Sequence, residues 1–298
     1  MYIIIQMFLS LILFLFLFTQ VKVNALNQLS FSGGGAFGAV EIGILKKLYE
    51  TGNTLNYDLY TGISAGALNS GYMSYFSDLQ TGIKSGEVLY SGLKNRLVYK
   101  LEPLTGVSVF NTEPLYNMLT KIVDNMPNGP VVHTLIGATN LYTGNLDVFA
   151  FEDNKDNNDK VLLMMSSSAI PGLFPPITYK GSMYADGGTL SNELLQVEHD
   201  GSYINITYIT PSQNLVYNGE PISSLESMLK RTIQIIMDNY NNPIAAINQA
   251  CKNPVGEINK FFVKPELLTS YNMMNFNDGE KLVDIGYNNV EHVKYKLC

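Results

Sequence analysis

The residue in this sequence best placed for nucleophilic chemistry is a serine between two glycines. The stretch Gly62-Ile63-Ser64-Ala65-Gly66 matches G-x-S-x-G, the pattern of a sharp turn between a strand and a helix. The glycines let the backbone fold back without a Cβ clash, and the N–H groups and dipole of the following helix favour a developing negative charge. The pattern predicts Ser64 as a nucleophile, although a glycine-rich loop that merely contains serine would have the same sequence.

A glycine run nearer the N-terminus predicts an anion-binding loop. Gly33-Gly34-Gly35, with Gly38 shortly after it, lies between a predicted strand and a predicted helix. Backbone N–H groups exposed at a helix N-terminus bind a phosphate or an oxyanion. A dinucleotide-binding fingerprint fits these glycines poorly, because no acidic residue ends a strand at the distance such a fingerprint requires. An oxyanion hole beside the serine is the better interpretation.

A carboxylate that could act as a general base occurs late in the chain. Two short predicted strands around a Lys-Gly-Ser turn at residues 180–182 lead to Asp186, which Gly187 and Gly188 follow. Asp-Gly-Gly by itself is more often a turn than a catalytic site. However, a carboxylate whose pKa is raised in a partly apolar pocket can accept the proton of a serine hydroxyl. In the company of Ser64 and the glycine run, Asp186 is predicted to be that base.

The predicted elements would bring the glycine run and the serine to one edge of a sheet. Strands are predicted at residues 26–32 and 56–60, and the helices that follow them at residues 39–49 and 65–76. In a parallel sheet the C-terminal ends of these strands lie side by side. The predicted fold class is α/β, a three-layer α/β/α domain with a largely parallel central sheet.

The rest of the chain is predicted to complete this domain, and no catalytic role is evident after Asp186. Helices are predicted at residues 112–123, 161–169 and from 221 to about 240. Strands are predicted at 131–140, 145–151 and 203–210, with a further one at an edge of the sheet at 261–263, and a closing helix at 278–295.

Composition excludes several classes of function. Of 298 residues, 46% are hydrophobic and 15% charged, which argues against disorder. A net charge of −7 argues against a nucleic-acid partner, because phosphate binding needs a basic surface. No C-x-x-C or H-E-x-x-H motif occurs, so neither a metal nor another cofactor is expected. Cys251 and Cys298 could form one disulfide or remain two free thiols.

The first 25 residues are predicted to be a signal peptide, with an uncleaved signal anchor as the alternative. Residues 2–18 are almost uninterruptedly apolar, and residues 23–25 resemble a small-residue cleavage site. An anchor would leave almost no linker between the bilayer and the strand predicted from residue 26. We therefore expect a secreted protein whose mature chain, residues 26–298, forms one domain.

Taken together, these motifs resemble those of the patatin-like phospholipase family. The glycine-rich loop, the G-x-S-x-G turn and the late Asp-Gly-Gly extend the resemblance over nearly all of the mature chain. Further similar stretches are Gly43-Ile44-Leu45, Ser166 to Pro171 and Phe174-Pro175-Pro176. The resemblance implies a Ser64–Asp186 dyad without histidine that cleaves lipid esters through an acyl-enzyme. It also implies a lipid or membrane-surface substrate and an oxyanion hole made by the N–H groups of Gly33, Gly34, Gly35 and Ala65.

Two features bear on the choice of lipid. Phe37 stands where the family usually has arginine or lysine, which puts a preference for phospholipids in doubt. On this interpretation, a basic residue at position 37 would raise activity on phospholipids relative to neutral esters. The apolar residues at 72–76, 164–165 and 173–174 could line an acyl pocket or an interfacial rim, or simply pack in the core.

Two other interpretations of the serine stay open. One is an α/β-hydrolase with a Ser-Asp-His triad, for which Ser64, Asp186 and either His199 or His292 stand in a permissible order. That fold normally has several strands before its serine, whereas one strand and one helix are predicted here. The third histidine, His133, begins a predicted strand. The other interpretation is a secreted lipid-binding or storage protein that keeps the fold without the chemistry.

Overall fold

The computed structural model describes residues 25–102, 106–195, 203–212, 222–240 and 255–297. His199, Cys251 and Cys298 lie outside these ranges, as do residues 1–24. The expectations for the N-terminal segment and for the cysteines therefore stay predictions. Within the described ranges, none of the helices combines the length and the apolar character that a bilayer span requires.

The strands of the described residues alternate with helices through the first half of the chain. In chain order the strands are β1 (Leu26–Phe31), β2 (Leu59–Ile63), β3 (Lys100–Leu101), β4 (Phe110–Asn111), β5 (His133–Asn140), β6 (Leu146–Ala150), β7 (Ile177–Tyr179), β8 (Ser182–Asp186), β9 (Ile204–Ser212), β10 (Gly256–Val263) and β11 (Glu291–Leu297). The helices are α1 (Gly38–Glu50), α2 (Ala65–Met73), α3 (Leu79–Gly92), α4 (Asn95–Val98), α5 (Glu113–Asp124), α6 (Asn157–Ser167), α7 (Leu225–Tyr240) and α8 (Gly279–Asn288).

Nine of the described strands form one mixed sheet, and β3 pairs only with β4. The order is β11-β10-β9-β1-β2-β5-β8-β7, and β6 pairs with β5. The run from β10 to β5 is parallel, whereas β6, β7, β8 and β11 pair in the antiparallel sense. Helices cover both sides of the sheet, which confirms the predicted three-layer α/β/α fold with a largely parallel sheet.

Alternation along the strands builds a core on each side of the sheet. Ile209 of β9 and Phe261 and Val263 of β10 join the large apolar cluster that also buries most of α1. Ile206 and Ile258 on the same two strands belong to a smaller cluster on the opposite face. The core therefore holds β1 and β2 between two buried faces, and both strands deliver their C-terminal ends to one edge of the sheet.

Side chains near three helix starts accept backbone N–H groups that would otherwise lack partners. Asp78 accepts the N–H groups of residues 80 and 81 at the start of α3. Asp156 does the same for residue 158 in α6, and Asn111 for residue 113 in α5. Leu115, Leu119 and Val123 then bury one face of α5, and such a stripe is the reason that this amphipathic segment forms a helix against the core.

The C-terminal predictions were partly wrong. Phe261 to Val263 do not form an edge strand, because β11 pairs antiparallel with β10 and becomes the edge itself. The closing helix ends at Asn288, and the segment that follows is β11. From His292 onwards, exposed polar residues alternate with half-buried or buried apolar ones, which is the period of a strand with one covered face. Charged side chains such as Lys294 on this exposed face also discourage pairing with other chains. A smaller error is that β9 continues past Pro211, where we predicted its end.

Candidate active site

Ser64 lies in a strained turn between β2 and α2. Its φ of 54° and ψ of −122° fall outside the regions that residues with a Cβ normally adopt. The two neighbouring glycines make this turn possible. A Cβ on Gly62 would lie 2.1 Å from the carbonyl oxygen of Gly66, and one on Gly66 would lie 2.3 Å from the carbonyl oxygen of Phe31. The first turn of α2 is therefore pressed against the ends of β1 and β2, with the serine at its N-terminus.

Sheet register brings Asp186 to this turn. Residues 135–139 of β5 pair with β6 on one side, so β2 and β8 must share the other side of β5. Ile63 pairs with Gly137, and Asp186 pairs with Ala138, the next residue along β5. The end of β8 thus meets the end of β2 head-on, and Ser64 Oγ donates a 2.7 Å hydrogen bond to Asp186 Oδ2. Both side chains are 2% exposed.

The Asp186 carboxyl is held on all sides by the polypeptide. Its Oδ1 accepts the N–H of Gly188 at 2.7 Å. Its backbone N–H donates to the carbonyl of Ala169, and its backbone carbonyl accepts the hydroxyl of Thr139. Burial raises the pKa of the Asp186 carboxyl to about 7, and the hydrogen bonds from Ser64 and Gly188 oppose that rise only in part. Near neutral pH the group can therefore both accept and return a proton.

Ser167, at the end of α6, fixes the backbone of the serine turn. Its Oγ accepts the N–H of Ser64 at 2.9 Å and donates to the carbonyl of Gly137 at 2.6 Å. These two bonds tie the turn to β5 and occupy the N–H of Ser64 itself. Ser167 belongs to a stretch that carried the family resemblance, but nothing in its sequence context indicated this contact.

The glycine loop lies where the sequence placed it, yet only part of it is free. The N–H of Gly33 donates to Asn192 Oδ1 at 2.9 Å, and Asn192 Nδ2 donates back to the carbonyl of Gly33. This engagement removes Gly33 from the expected oxyanion donors. Among the described residues, no acceptor is hydrogen-bonded to the N–H of Gly34, Gly35 or Ala65. These three N–H groups remain available to an oxyanion.

The far side of the loop rests on the turn at Met273. Gly35 has a φ of +58°, and a Cβ there would lie 2.3 Å from the carbonyl oxygen of Met273. The same carbonyl accepts the N–H of Ala36 at 2.7 Å. Gly35 therefore needs glycine for two reasons, its left-handed backbone and this close approach. The turn at Met273 was not anticipated, because it lies far away in the chain and carries no motif.

A buried carboxyl links the loop to the helix that follows the serine. Glu41 Oε1 accepts the N–H and hydroxyl of Ser32, the residue before the glycine run, and its Oε2 accepts Asn69 Nδ2 from α2 at 2.9 Å. Tyr90 in turn donates to Asn69 Oδ1. Burial raises the pKa of Glu41, whereas the hydrogen bonds from Asn69 and Ser32 lower it. We interpret this network as support for the geometry of the site, and the sequence did not reveal it.

The remaining motif glycines allow close backbone approach. A Cβ on Gly38 would lie 2.5 Å from the hydroxyl of Tyr90, and one on Gly187 would lie 2.6 Å from the carbonyl oxygen of Gly137. The first contact allows the start of α1 to approach Tyr90 of α3. The second keeps the turn after Asp186 against β5, and Gly188 supplies the N–H bound by the carboxyl.

Phe37 does not face the site. Its side chain is 4% exposed and belongs to the large apolar cluster. An arginine in the same orientation would place a charge in the core, where an unpaired charge is strongly unfavourable. We therefore withdraw the expectation that a basic residue at position 37 would raise phospholipid activity, since this side chain is not positioned to meet a head group.

Neither described histidine reaches Ser64. His133 lies at the N-terminal end of β5, beside the start of β2, whereas Ser64 follows the end of β2. His133 contacts Glu152. His292 is in β11, not in a helix as predicted, and it stacks on Phe261. Since β11 is four strands from β2 and strands are spaced about 4.8 Å apart, His292 lies about 19 Å away across the sheet. The direct 2.7 Å bond from Ser64 to the carboxylate also leaves no space for an imidazole between them.

An apolar cavity of about 70 Å³ opens beside the serine, between α2, α3, α5 and α6. Tyr72, Tyr75, Met164 and Phe174 line it, as an acyl pocket would require, whereas Leu173 is buried in the core. Other lining residues include Gly35, Ser64, Ala65, Leu68, Leu115, Leu119 and Ile170. In the part of the chain that the structure describes, no cluster of three or more His, Cys, Asp or Glu side chains could hold a metal ion, and the expected absence of a metal stays a prediction.

Fold and site together define an α/β protein with a buried serine–aspartate pair, a glycine-rich N–H loop and an apolar cavity at one edge of its sheet. The chain belongs to the patatin-like phospholipase family, whose model matches residues 29–197, more than half of the sequence. Membership in this family supports lipase or phospholipase activity in general.

Comparison with solved structures gives matches at low sequence identity. VipD from Legionella pneumophila is 12% identical with a TM-score of 0.42, and the match covers 90% of this chain and 68% of VipD. A chain in the heterodimeric ExoU–SpcU complex of Pseudomonas aeruginosa is 12% identical with a TM-score of 0.32. That match covers 91% of this chain and 53% of the other, so this chain spans about half of that protein's length. No curated protein sequence matches the chain.

Replacing Asn192 by alanine is expected to lower kcat for ester hydrolysis about 10- to 100-fold with little change in KM. The substitution removes both bonds to Gly33, and a small displacement of the loop moves the N–H groups beside Ser64 out of position. Steady-state kinetics would measure this effect, with Asn53→Ala at an exposed position as the matched control. A kcat within twofold of the wild type would show that the loop does not depend on Asn192.

Proposed function

We propose that this protein is a lipid acyl hydrolase in which Ser64 is the nucleophile and Asp186 the general base. The observation that carries the proposal is the 2.7 Å hydrogen bond from a buried serine hydroxyl to a buried carboxylate with a raised pKa. A serine hydroxyl is a weak nucleophile until a neighbouring base accepts its proton. A carboxylate with a pKa near 7 is a much stronger base than an exposed aspartate.

In the first half-reaction, Asp186 accepts the proton as Ser64 Oγ attacks the ester carbonyl carbon. Negative charge develops on the carbonyl oxygen, and the free N–H groups of Gly34, Gly35 and Ala65 are the donors that would stabilise it. Collapse of the tetrahedral intermediate breaks the bond to the leaving oxygen. Asp186 then returns its proton to that oxygen, which releases an alcohol and leaves the acyl group on Ser64.

In the second half-reaction, the roles repeat with water. Asp186 accepts a proton from water, which attacks the carbonyl carbon of the acyl-enzyme. The same N–H groups stabilise the oxyanion, and the proton on Asp186 passes to Ser64 Oγ as the acid leaves. The dyad returns to its starting state without a histidine, because one carboxyl with a pKa near neutrality can perform both proton transfers.

The cavity beside Ser64 supports a fatty-acyl group as the part of the substrate that is recognised. Leucine, isoleucine, methionine and aromatic side chains make up most of its walls. Burial of each methylene of an acyl chain contributes about 0.8 kcal/mol. A hydrophilic acyl group would gain no binding free energy from these apolar walls. We therefore assign the acyl chain to the cavity and place the alcohol or head group at its entrance.

Labelling with a fluorophosphonate tests the proposal against a silent lipid-binding protein of the same fold. We expect intact-mass analysis to show a single adduct on the wild type and none on Ser64→Ala, because phosphonylation requires an activated hydroxyl. Ser91→Ala, at an exposed position, is the matched control and should label like the wild type. A well-folded wild type that takes up no adduct would contradict the hydrolase and favour the binding protein.

A further inference from the structure

A second apolar space lies on the surface side of the acyl cavity. This outer groove runs between α3 and α5 and has a volume of about 540 Å³. Its rim exposes apolar side chains, with Val88 74% and Leu97 37% exposed. Lys121 and Asn125 supply its polar border on α5. Apolar side chains exposed along a surface groove indicate a binding site for an apolar ligand.

The outer groove and the inner cavity share a wall. Tyr72, Leu89, Leu93, Met118 and Ile122 line both spaces. Four of them lie on α2, α3 and α5, and Leu93 directly follows α3. Tyr72 is positioned by a short hydrogen bond between its hydroxyl and Ser85 of α3. We call these five residues the neck, because their side chains stand between the inner cavity and the outer groove.

The inner cavity is small for a fatty-acyl chain. About 70 Å³ is less than half the volume of an engineered cavity of roughly 150 Å³ that binds one benzene molecule. An acyl chain of more than a few carbons that starts at Ser64 therefore cannot end inside this cavity. The apolar space next to it is the outer groove, on the other side of the neck.

We propose that the acyl chain of the substrate threads the neck, so that its distal carbons lie in the outer groove and the neck residues set the preference for chain length. This inference rests on the proposed function, because it assumes that the carboxyl end of the chain is esterified at Ser64. The groove is open to solvent, so the distal carbons of a long chain have space beyond the neck, and narrowing the neck should disfavour long chains. The substrates are therefore esters of long-chain fatty acids.

Narrowing the neck tests the route. Met118→Trp and Leu89→Trp each add an aromatic ring at the shared wall. We expect both to lower the ratio of kcat/KM for p-nitrophenyl palmitate to that for p-nitrophenyl butyrate at least about tenfold, because each methylene kept out of an apolar site loses a factor of about four. Val131→Trp is the matched control, since Val131 is 54% exposed at the opposite edge of the sheet, and its ratio should match the wild type. An unchanged ratio in both folded neck variants would overturn the proposal.

Binding without chemistry separates the neck from the dyad. The Ser64→Ala variant should bind the fluorescent fatty acid cis-parinaric acid, and adding Met118→Trp should weaken that binding at least about tenfold. If the wild type hydrolyses neither ester and takes no fluorophosphonate label, the proposed function is wrong. The effect of Met118→Trp on the affinity for cis-parinaric acid then tests by itself whether an acyl chain passes through the neck. Equal affinity for cis-parinaric acid with and without the tryptophan would refute the route even if the esters are cleaved.

Discussion

Replacing Asp186 by asparagine is expected to lower kcat for ester hydrolysis about 10³- to 10⁴-fold. The amide accepts a hydrogen bond from Ser64 Oγ much as the carboxylate does, but it cannot take the proton. The amide has only one acceptor oxygen, so its NH₂ group faces the N–H of Gly188, and that hydrogen bond is lost together with the base. Oxyanion donors and substrate binding stay in place, so some activity above background should remain. The measurement is single-turnover hydrolysis of p-nitrophenyl butyrate by the wild type and the variant.

Asp153→Asn is the matched control, since Asp153 is exposed and lies outside the site. It should retain wild-type kcat. A loss of less than tenfold in Asp186→Asn would mean that another group accepts the serine proton, and the dyad would have to be abandoned.

The pH profile gives the same prediction an independent readout. Because the base must be ionised, kcat/KM of the wild type should rise with pH through about 7 and level off above it. The contribution of Asp186 to the free energy of unfolding should instead fall as the pH rises. The pKa of Asp186 is about 3.9 in the unfolded chain and about 7 in the fold. The protonated carboxyl therefore stabilises the fold fully below about pH 3.9, and this stabilisation is lost as the pH rises through about 7. Asp186→Asn should therefore gain in Tm relative to the wild type as the pH rises from 4 to 8.

Replacing Gly66 by alanine is expected to lower kcat about 10²- to 10³-fold and to destabilise the fold. The new Cβ would lie 2.3 Å from the carbonyl oxygen of Phe31 and 2.5 Å from that of Ser32, and neither backbone position can yield without disturbing β1. The start of α2 must withdraw instead, which moves Ser64 and the N–H of Ala65. Displacing one oxyanion donor typically costs this much in rate, and such overpacking destabilises by about 1–3 kcal/mol.

Kinetics and thermal unfolding of Gly66→Ala should be compared with those of Gly129→Ala. No atom lies within 4 Å of a Cβ at Gly129, so that substitution introduces the same methyl group without a clash. It should leave both kcat and Tm close to wild type. If Gly66→Ala behaves in the same way, the approach of α2 to β1 is not needed for the geometry of the site.

The sequence alone determined the local parts of this protein. The glycine pattern around Ser64 predicted a sharp strand-to-helix turn, because glycine is the residue that fits where the backbone has no space for a Cβ. Sequence patterns predicted β1, β2, β5 to β8 and helices α1, α2, α5 and α6, which was enough for the fold class, but they left residues 80–103, with α3 and α4, unassigned. The carboxylate at Asp186 and the glycine run were also identified, since they belong to motifs that lie within a few residues of chain.

Only the tertiary structure decided which of these groups meet, and how. Asp186 reaches Ser64 because β8 continues the line of β2 along β5, and register between distant strands is not encoded in any short stretch. Asn192, 159 residues away in the chain, accepts the N–H of Gly33, so this N–H is not free to bind an oxyanion. Phe37 turned into the core because packing against the rest of the fold, not its place in a motif, sets its orientation. Local sequence specifies backbone conformation, whereas the partners of a side chain depend on contacts that form only when the whole chain is folded.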